Sequence, residues 1–473
     1  MIWQIRSIIK KAVLHSIHLK NEHRRQKLFP NGDSLQPDCW DMSINTDDHL
    51  AIQDCDTVKL AEEYGTPLYV VDKARLKKNY DQFYQSFNSL YPNIIIGYSY
   101  KTNPLPGVLK ALHEFGAYAE VISQFELWLA LKLGVAPDNI IFNGPSKTRD
   151  SLQLAIDHKI KIINIDNFSE ISTIDELAST RNHKQNVGVR LVTSVGWSSQ
   201  FGLSIKNGAA FEAFRQIKAK KNLVACGVHL HLGTGLKDIS TYLQAIKEVL
   251  EFARSLKSEL DITIQYYDFG GGFGVPTVRP FTPIDSSLMA NDYPIAPMDL
   301  TSSPPLSDYS RSIIDLFTQY IDVAAEPLPC LIFEPGRAIT SSAQSMLLSI
   351  LAIKQSENNT KNVIVDGGKN ITMPLAYEYH EIFPASAMSK EKDSLYNIYG
   401  PLCHPSDIIF LLKKLPTLKV DDIIAIMDAG AYFVPNQMNF SNPRPAVIMV
   451  HEGKHELLRE RESFENIVAL DKL

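Results

Sequence analysis

Eight short apolar runs rich in β-branched residues recur through the middle of the chain, at 94–99, 117–122, 140–144, 161–166, 187–192, 227–232, 266–269 and 331–334. Segments with the apolar spacing of amphipathic helices separate them, beginning at 104–115. Parallel strands need a crossover between neighbours, so strict alternation of strand and helix predicts a parallel sheet with helices outside it. Eight such units over residues 94–334 match the size at which the sheet closes, roughly 250 residues, and predict a (β/α)8 TIM barrel. An open doubly wound sheet is the alternative. A barrel carries its chemistry at the C-terminal strand ends. There the chain places Lys101, Glu120, Asn143, Asp166, Arg190, His231, the glycines 270–272, Glu334, Gly336 and Arg337.

Past Arg337 the pattern changes to strand-like runs without helices, at 345–353, 362–366, 422–427 and 446–451. They predict a second, mostly β domain over 341–450, completed by 49–68 or by the run at 66–71, beside a barrel over 69–340. Residues 1–48 read as an N-terminal extension and 451–473 as a C-terminal tail. Seven prolines and little periodicity mark 275–307 as a long insertion, a type of loop that is usually functional or disordered. The first 28 residues hold seven Lys or Arg against one acid, Glu22. Lys10, Lys11 and His15 interrupt any signal-peptide core, so this segment reads as a helix packed on the protein body, with a transit peptide or membrane-surface helix as the alternative.

No apolar run reaches the ~18 residues of a membrane span. The charge balance, 47 basic against 53 acidic residues or −6, gives no bulk attraction to nucleic acid. Five scattered cysteines without CxxC spacing argue against a disulfide framework or structural zinc and for reduced thiols, hence a cytoplasmic protein.

The glycine cluster at 270–272 after the seventh run, with Gly336 and Arg337 after the eighth, stands where barrels commonly bind phosphate. The GxGxxG fingerprint does not fit, because its fourth glycine falls too early and no helix follows. Lys101 directly follows the first run, where burial would favour the neutral amine that attacks a carbonyl. Taken alone it is an ordinary surface lysine. Together, a phosphate site and a carbonyl-binding lysine imply pyridoxal 5'-phosphate. His229 and His231 share a strand face and could be read as metal ligands, but no third ligand is visible near them, so no metal is expected.

Six motifs in order carry a family resemblance: YSYKTN at 98–103, HLHLGTG at 229–235, DFGGGFG at 268–274, EPGR at 334–337, YGPLC at 399–403 and DAGAY at 428–432. The chain resembles the pyridoxal-phosphate decarboxylases of the alanine-racemase-like barrel (fold type III), which include diaminopimelate and ornithine decarboxylases. The resemblance implies that Lys101 forms the Schiff base and that His231 stacks on the cofactor ring. It implies phosphate contacts from Gly270, Gly271, Gly272, Thr234 and Tyr432, with Gly336 and Arg337 close by and Arg337 also near the substrate carboxylate. Glu120 would stand behind the cofactor in place of a commoner aspartate. Glu334 would face the ring nitrogen, where racemases of this fold carry arginine, so it favours decarboxylation. Cys403 would enter from the partner subunit as the proton donor, making a homodimer with composite sites.

Two segments depart from the diaminopimelate pattern. Cys403 is followed by His404 and Pro405 rather than Glu-Ser, and Met373 stands where an arginine usually precedes Pro-x-x-Tyr, here Pro374 to Tyr377. Tyr377, His404, Arg337 and Tyr432 are the expected substrate contacts. An amino-acid substrate follows, by a reaction like that of diaminopimelate decarboxylase. A D-amino acid or a siderophore- or carrier-linked amino-acid unit is the alternative, and a racemase or an inactive partner-binding homologue stands further off.

Overall fold

The computed structural model describes residues 2–29, 35–322, 324, 327–355 and 360–472, with side chains from residue 9 onward. The chain divides into two compact units. The first, Lys77–Gly274 with Ser303–Ile339, is the barrel. Its eight principal strands are β1 Ile94–Ser99, β2 Tyr118–Val121, β3 Ile140–Phe142, β4 Ile162–Ile165, β5 Gln185–Val192, β6 Leu223–His229, β7 Tyr266–Asp268 and β8 Cys330–Phe333. All neighbours run parallel, and the ring closes because β8 pairs with β1 and β4 with β5. Closure excludes the doubly wound alternative. The strands read as near-continuous apolar runs because the helices cover one face and the opposite barrel wall covers the other.

Inside the barrel, Ile141, Ile162, Cys226, Cys330 and Ile332 pack into one buried cluster. Gly188 and Gly227 leave room for it: a Cβ at Gly227 would press on Ile162, and one at Gly188 would collide with the Asn164 side chain. Helices start where polar caps stand. Ser123, Thr148, Asn167 and Asp238 each accept a hydrogen bond from a first-turn backbone N–H.

The second unit comprises Met1–Leu76, Val275–Ser302 and Thr340–Leu473. Its main sheet is built on Leu68–Asp72, which pairs antiparallel with Gln344–Gln355 and parallel with Ala446–His451. The 68–72 run is thus a central strand here, so of the two completing segments considered, the one at 66–71 joins this sheet and the barrel starts after it. Ser394–Tyr399, Ile408–Leu415 and Ile382–Pro384 are strands that periodicity did not reveal: Asn397, Lys413 and Lys414 interrupt the first two, and the third is only three residues long. The expected tail is half of a hairpin: Lys454–Arg459 pairs with Ala446–His451 across Glu452 and Gly453, both at positive φ.

The insertion is ordered too. Thr282 and Asp285 form a reciprocal capping box that starts helix Pro283–Met289, and Arg279–Pro280 pairs with Glu378–Tyr379. Helix Ile2–Leu28 packs on it, with Arg25 donating to the Ile295 carbonyl and His18 stacked on Tyr293. The buried Asp428 carboxylate accepts from Trp40, Thr277 and Ser341, so extension, insertion and sheet belong to one unit. Among the described residues no helix is long and apolar enough to cross a membrane.

Candidate functional site

The C-terminal ends of the barrel strands converge on a buried polar network. Lys101 sits in the short turn Tyr100–Thr102 after β1. The Tyr100 hydroxyl holds that turn by its hydrogen bond to His113 Nε2, at 2.6 Å. Lys101 Nζ lies 3.8 Å from Glu120 at the end of β2. Ser99 donates to the same Glu120 oxygen at 2.5 Å, and Asn143, just past β3, donates to the other at 2.9 Å. The same Asn143 amide reaches Glu334, just past β8, at 2.5 Å. Asn164 donates to Asn143 Oδ1 at 2.8 Å and so fixes which end of the amide faces the carboxylates.

On the other side of Glu334 lie His229 Nε2 at 3.5 Å and His231 Nδ1 at 3.9 Å. Gly270 N–H donates to Asp268 at 2.9 Å, and Gly271 N–H to His231 Nδ1 at 3.3 Å. The His231 proton therefore sits on Nε2. Arg190 on β5 lies 3.9 Å from Asp166 with its guanidinium over the Phe201 ring.

Three carboxyl groups in so small a volume cannot all ionise. Burial opposes charge on Glu334, yet the His229 ring, the Asp268 hydroxyl and Lys101 outweigh it and hold this carboxyl well below the usual range. Asp268 is the protonated partner, raised by burial and by the Glu334 charge. Glu120 is also raised, mainly by burial. Burial, reinforced by Lys101, pushes His231 down to about 3, so its ring is neutral at physiological pH. His229, Asp268 and Glu334 each offer a ligating atom within 4.8 Å of the others. This supplies the third group that sequence spacing lacked.

Lys101, Glu120, His231, Gly270, Gly271, Gly272, Glu334 and Gly336 all stand at this end of the barrel, with Thr234 exposed on the loop after β6 and Arg337 buried at the start of helix Arg337–Thr340. Tyr377, Cys403, His404 and Tyr432 belong to the β-rich unit. Cys403 and His404 are exposed there, and Tyr432 adopts φ +67, uncommon for a non-glycine residue. Asn143 stood among the strand-end residues and His229 was weighed as a metal ligand, but neither was given a cofactor role from sequence, and Asn164 and Asp268 were given none. Their signal was a polar side chain in or just after an apolar run, and for Asn164 a glycine in the neighbouring strand.

A ligand with a basic ring nitrogen, a carbonyl and a phosphate fits this arrangement. Glu334 offers an ionised carboxylate and Lys101 an amine. The glycine turn has no space for side chains, since a Cβ at Gly270, Gly271 or Gly272 would collide with the carbonyls of Leu230, Glu334 and Gly233. The buried Thr102 hydroxyl beside Gly336 has no hydrogen-bond partner among the described residues.

Comparison with known proteins agrees with the geometry. Residues 74–341 match the family model of the pyridoxal-binding domain of pyridoxal-dependent decarboxylases. The chain is 30% identical over 446 residues to diaminopimelate decarboxylase of Methanothermobacter thermautotrophicus, covering 90% of this chain and 96% of that one. It is 28% identical over 458 residues to the Bacillus subtilis diaminopimelate decarboxylase, covering 94% and 98%. The crystal structure of diaminopimelate decarboxylase from M. jannaschii in complex with L-lysine superposes with a TM-score of 0.82 at 29% identity, covering 91% of this chain and 98% of that one.

Proposed function

Because the chain belongs to the pyridoxal-dependent decarboxylases, we propose that it removes the α-carboxylate of a free straight-chain α-amino acid, with Lys101, Glu334 and Cys403 as its principal working residues. It is a carboxy-lyase that uses pyridoxal 5'-phosphate. When bound, this cofactor supplies the electron sink for the carbon that loses carbon dioxide. Lys101 is the amine for its covalent attachment. The observation that carries the reading is the state of Glu334: a buried carboxylate held ionised is the group that keeps a proton on a facing ring nitrogen.

The remaining assignments follow from the same chemistry. Neutral His231 would lie against the cofactor ring and, being uncharged, would not compete for that proton. Glu120, braced by Ser99 and Asn143, balances the Lys101 charge. Gly270, Gly271, Gly272, Thr234, Gly336, Arg337 and Tyr432 hold the phosphate, and Arg337, Tyr377, His404 and Tyr432 the substrate. Cys403 delivers a proton to the carbon that has lost its carboxylate. Its exposure supports donation across a subunit interface, hence a homodimer. Five unpaired thiols favour the cytoplasm.

The test is carbon dioxide release by the holoenzyme from lysine, ornithine, meso-diaminopimelate and 2-aminopimelate. Release with formation of the matching amine is the expected result. Turnover only of amino acids tethered to a carrier would overturn the free-substrate reading.

A further inference from the structure

Helix Ile2–Leu28 is held to the protein along only part of its length. Leu14, His18, Asn21 and Arg25 recur at helical spacing and form a stripe that is buried or half-buried. There Arg25 donates to the Ile295 carbonyl, His18 stacks on Tyr293 and Arg24 pairs with Asp299 at 2.6 Å, all within the β-rich unit. Residues 9–13, by contrast, are exposed without exception.

The side of the helix away from that stripe is apolar and basic. Ile9, Val13 and Leu19 are 57%, 52% and 55% exposed. Lys20 and Lys27, also exposed, share this side with them. At about 100° per residue the five positions fall within an arc of about 120°, centred opposite Leu14 and Arg25. In the sequence, positions Ile2, Ile5 and Ala12 belong to the same arc, and Arg6, Lys10 and Lys11 lie outside it.

Charge separates the two halves of the helix as well. Seven basic residues against one acid give residues 1–28 a charge of +6 in a chain of −6. Arg24 and Arg25 are paired with Asp299 and Glu22. Lys10, Lys11, Lys20 and Lys27 are exposed and form no ion pair among the described residues.

We infer that this outer face docks the protein on an anionic phospholipid bilayer, with Ile9 and Val13 entering the headgroup region and the lysines meeting the phosphates. A basic helix with branched aliphatic residues along one arc lies in the plane of such a surface. Because the buried stripe is on the opposite side, the helix can lie flat on the bilayer while it stays packed on the insertion. Each cation near an anionic surface strengthens binding about fivefold. A second copy of the chain would bring the same positive charge to this face, and a neutral apolar partner would leave the lysines unanswered. The contact is peripheral, since among the described residues no helix is long and apolar enough to cross a membrane.

The experiment sediments the holoenzyme with vesicles of phosphatidylcholine alone and of phosphatidylcholine mixed equally with phosphatidylglycerol. Binding at least about tenfold tighter to the anionic vesicles is expected, weakening as salt approaches about 1 M, where the Debye length is about 3 Å. Lys10→Glu with Lys11→Glu should cost at least about tenfold in that binding, and Ile9→Ser with Val13→Ser should weaken it further than salt does. Lys390→Glu with Lys454→Glu changes the net charge equally at other exposed positions and should bind like the native protein. All these side chains are exposed, so visible absorption of the bound cofactor should be the same in every variant. Equal binding to neutral vesicles, no binding to either kind, or equal loss in the Lys390 and Lys454 control overturns the inference. Binding to polyglutamate as tight as to anionic vesicles, and unaltered by the two serines, would assign the face to an acidic protein instead. A lipid-free oligomer that the two serines dissociate, without vesicle binding, would make it an interface between copies.

Discussion

Asn143 binds Glu334 through its side-chain amide at 2.5 Å, and the same nitrogen lies 2.9 Å from Glu120, so one neutral residue bridges the two acids at the C-terminal ends of β2 and β8. Replacing it by leucine leaves both carboxylates without their shared donor. The expected cost is about 1–3 kcal/mol, together with weaker cofactor retention on dialysis. Unchanged retention and unfolding midpoint would assign the bridge no energetic role.

Glu334→Gln keeps the shape of the side chain and removes its charge. Turnover should fall by about 10²-fold or more, while the protein still binds pyridoxal 5'-phosphate. Near-wild-type kcat would show that the ring nitrogen does not depend on this carboxylate.

Lys101→Ala should abolish the borohydride-stable link between protein and cofactor, read by mass spectrometry of the reduced protein. A reduced adduct persisting at another lysine would move the attachment site.

If Cys403 acts across an interface, mixing Lys101→Ala chains with Cys403→Ala chains restores activity, because one of the two sites in a mixed dimer is intact. The measurement is recovered carbon dioxide release after demonstrated subunit exchange. No recovery would place both residues on one chain. With Cys403→Ala alone, protonation should slow by roughly 10²–10⁴. Unchanged amine formation and unchanged stereochemistry of deuterium uptake in heavy water would make Cys403 structural.

Glu126, buried in the barrel unit, accepts a hydrogen bond from the Ile122 N–H. Burial, and then the Glu120 charge, raise its carboxyl from 4.5 to about 7. A carboxyl raised on folding stabilises the fold in full below its unfolded value, and that contribution is lost as the pH climbs through the folded value. Relative to Glu126→Gln, the native protein should therefore lose about 2–3 kcal/mol between pH 4.5 and 8. Parallel pH–stability curves for the two proteins would refute the raised value.

The βα rhythm and the polar strand ends were legible in the sequence because each depends on neighbours a few residues apart: β-branched runs make strands, and apolar spacing makes crossover helices. From these came the barrel, Lys101 and Glu334. What the sequence left open was decided by partners far along the chain. Leu68–Asp72 is apolar on both faces and suits either unit, and only its pairing with Gln344–Gln355 and Ala446–His451 puts it in the β-rich sheet. The insertion looked structureless because its order comes from the Thr282 and Asp285 cap and from the Asp428 contact with Thr277, 151 residues away. The charge state of the site was equally hidden. Glu120, Asp268 and Glu334 are identical in kind to any surface acid, and closure of the barrel, by removing water and forcing the three together, lowers Glu334 and raises Asp268 and Glu120.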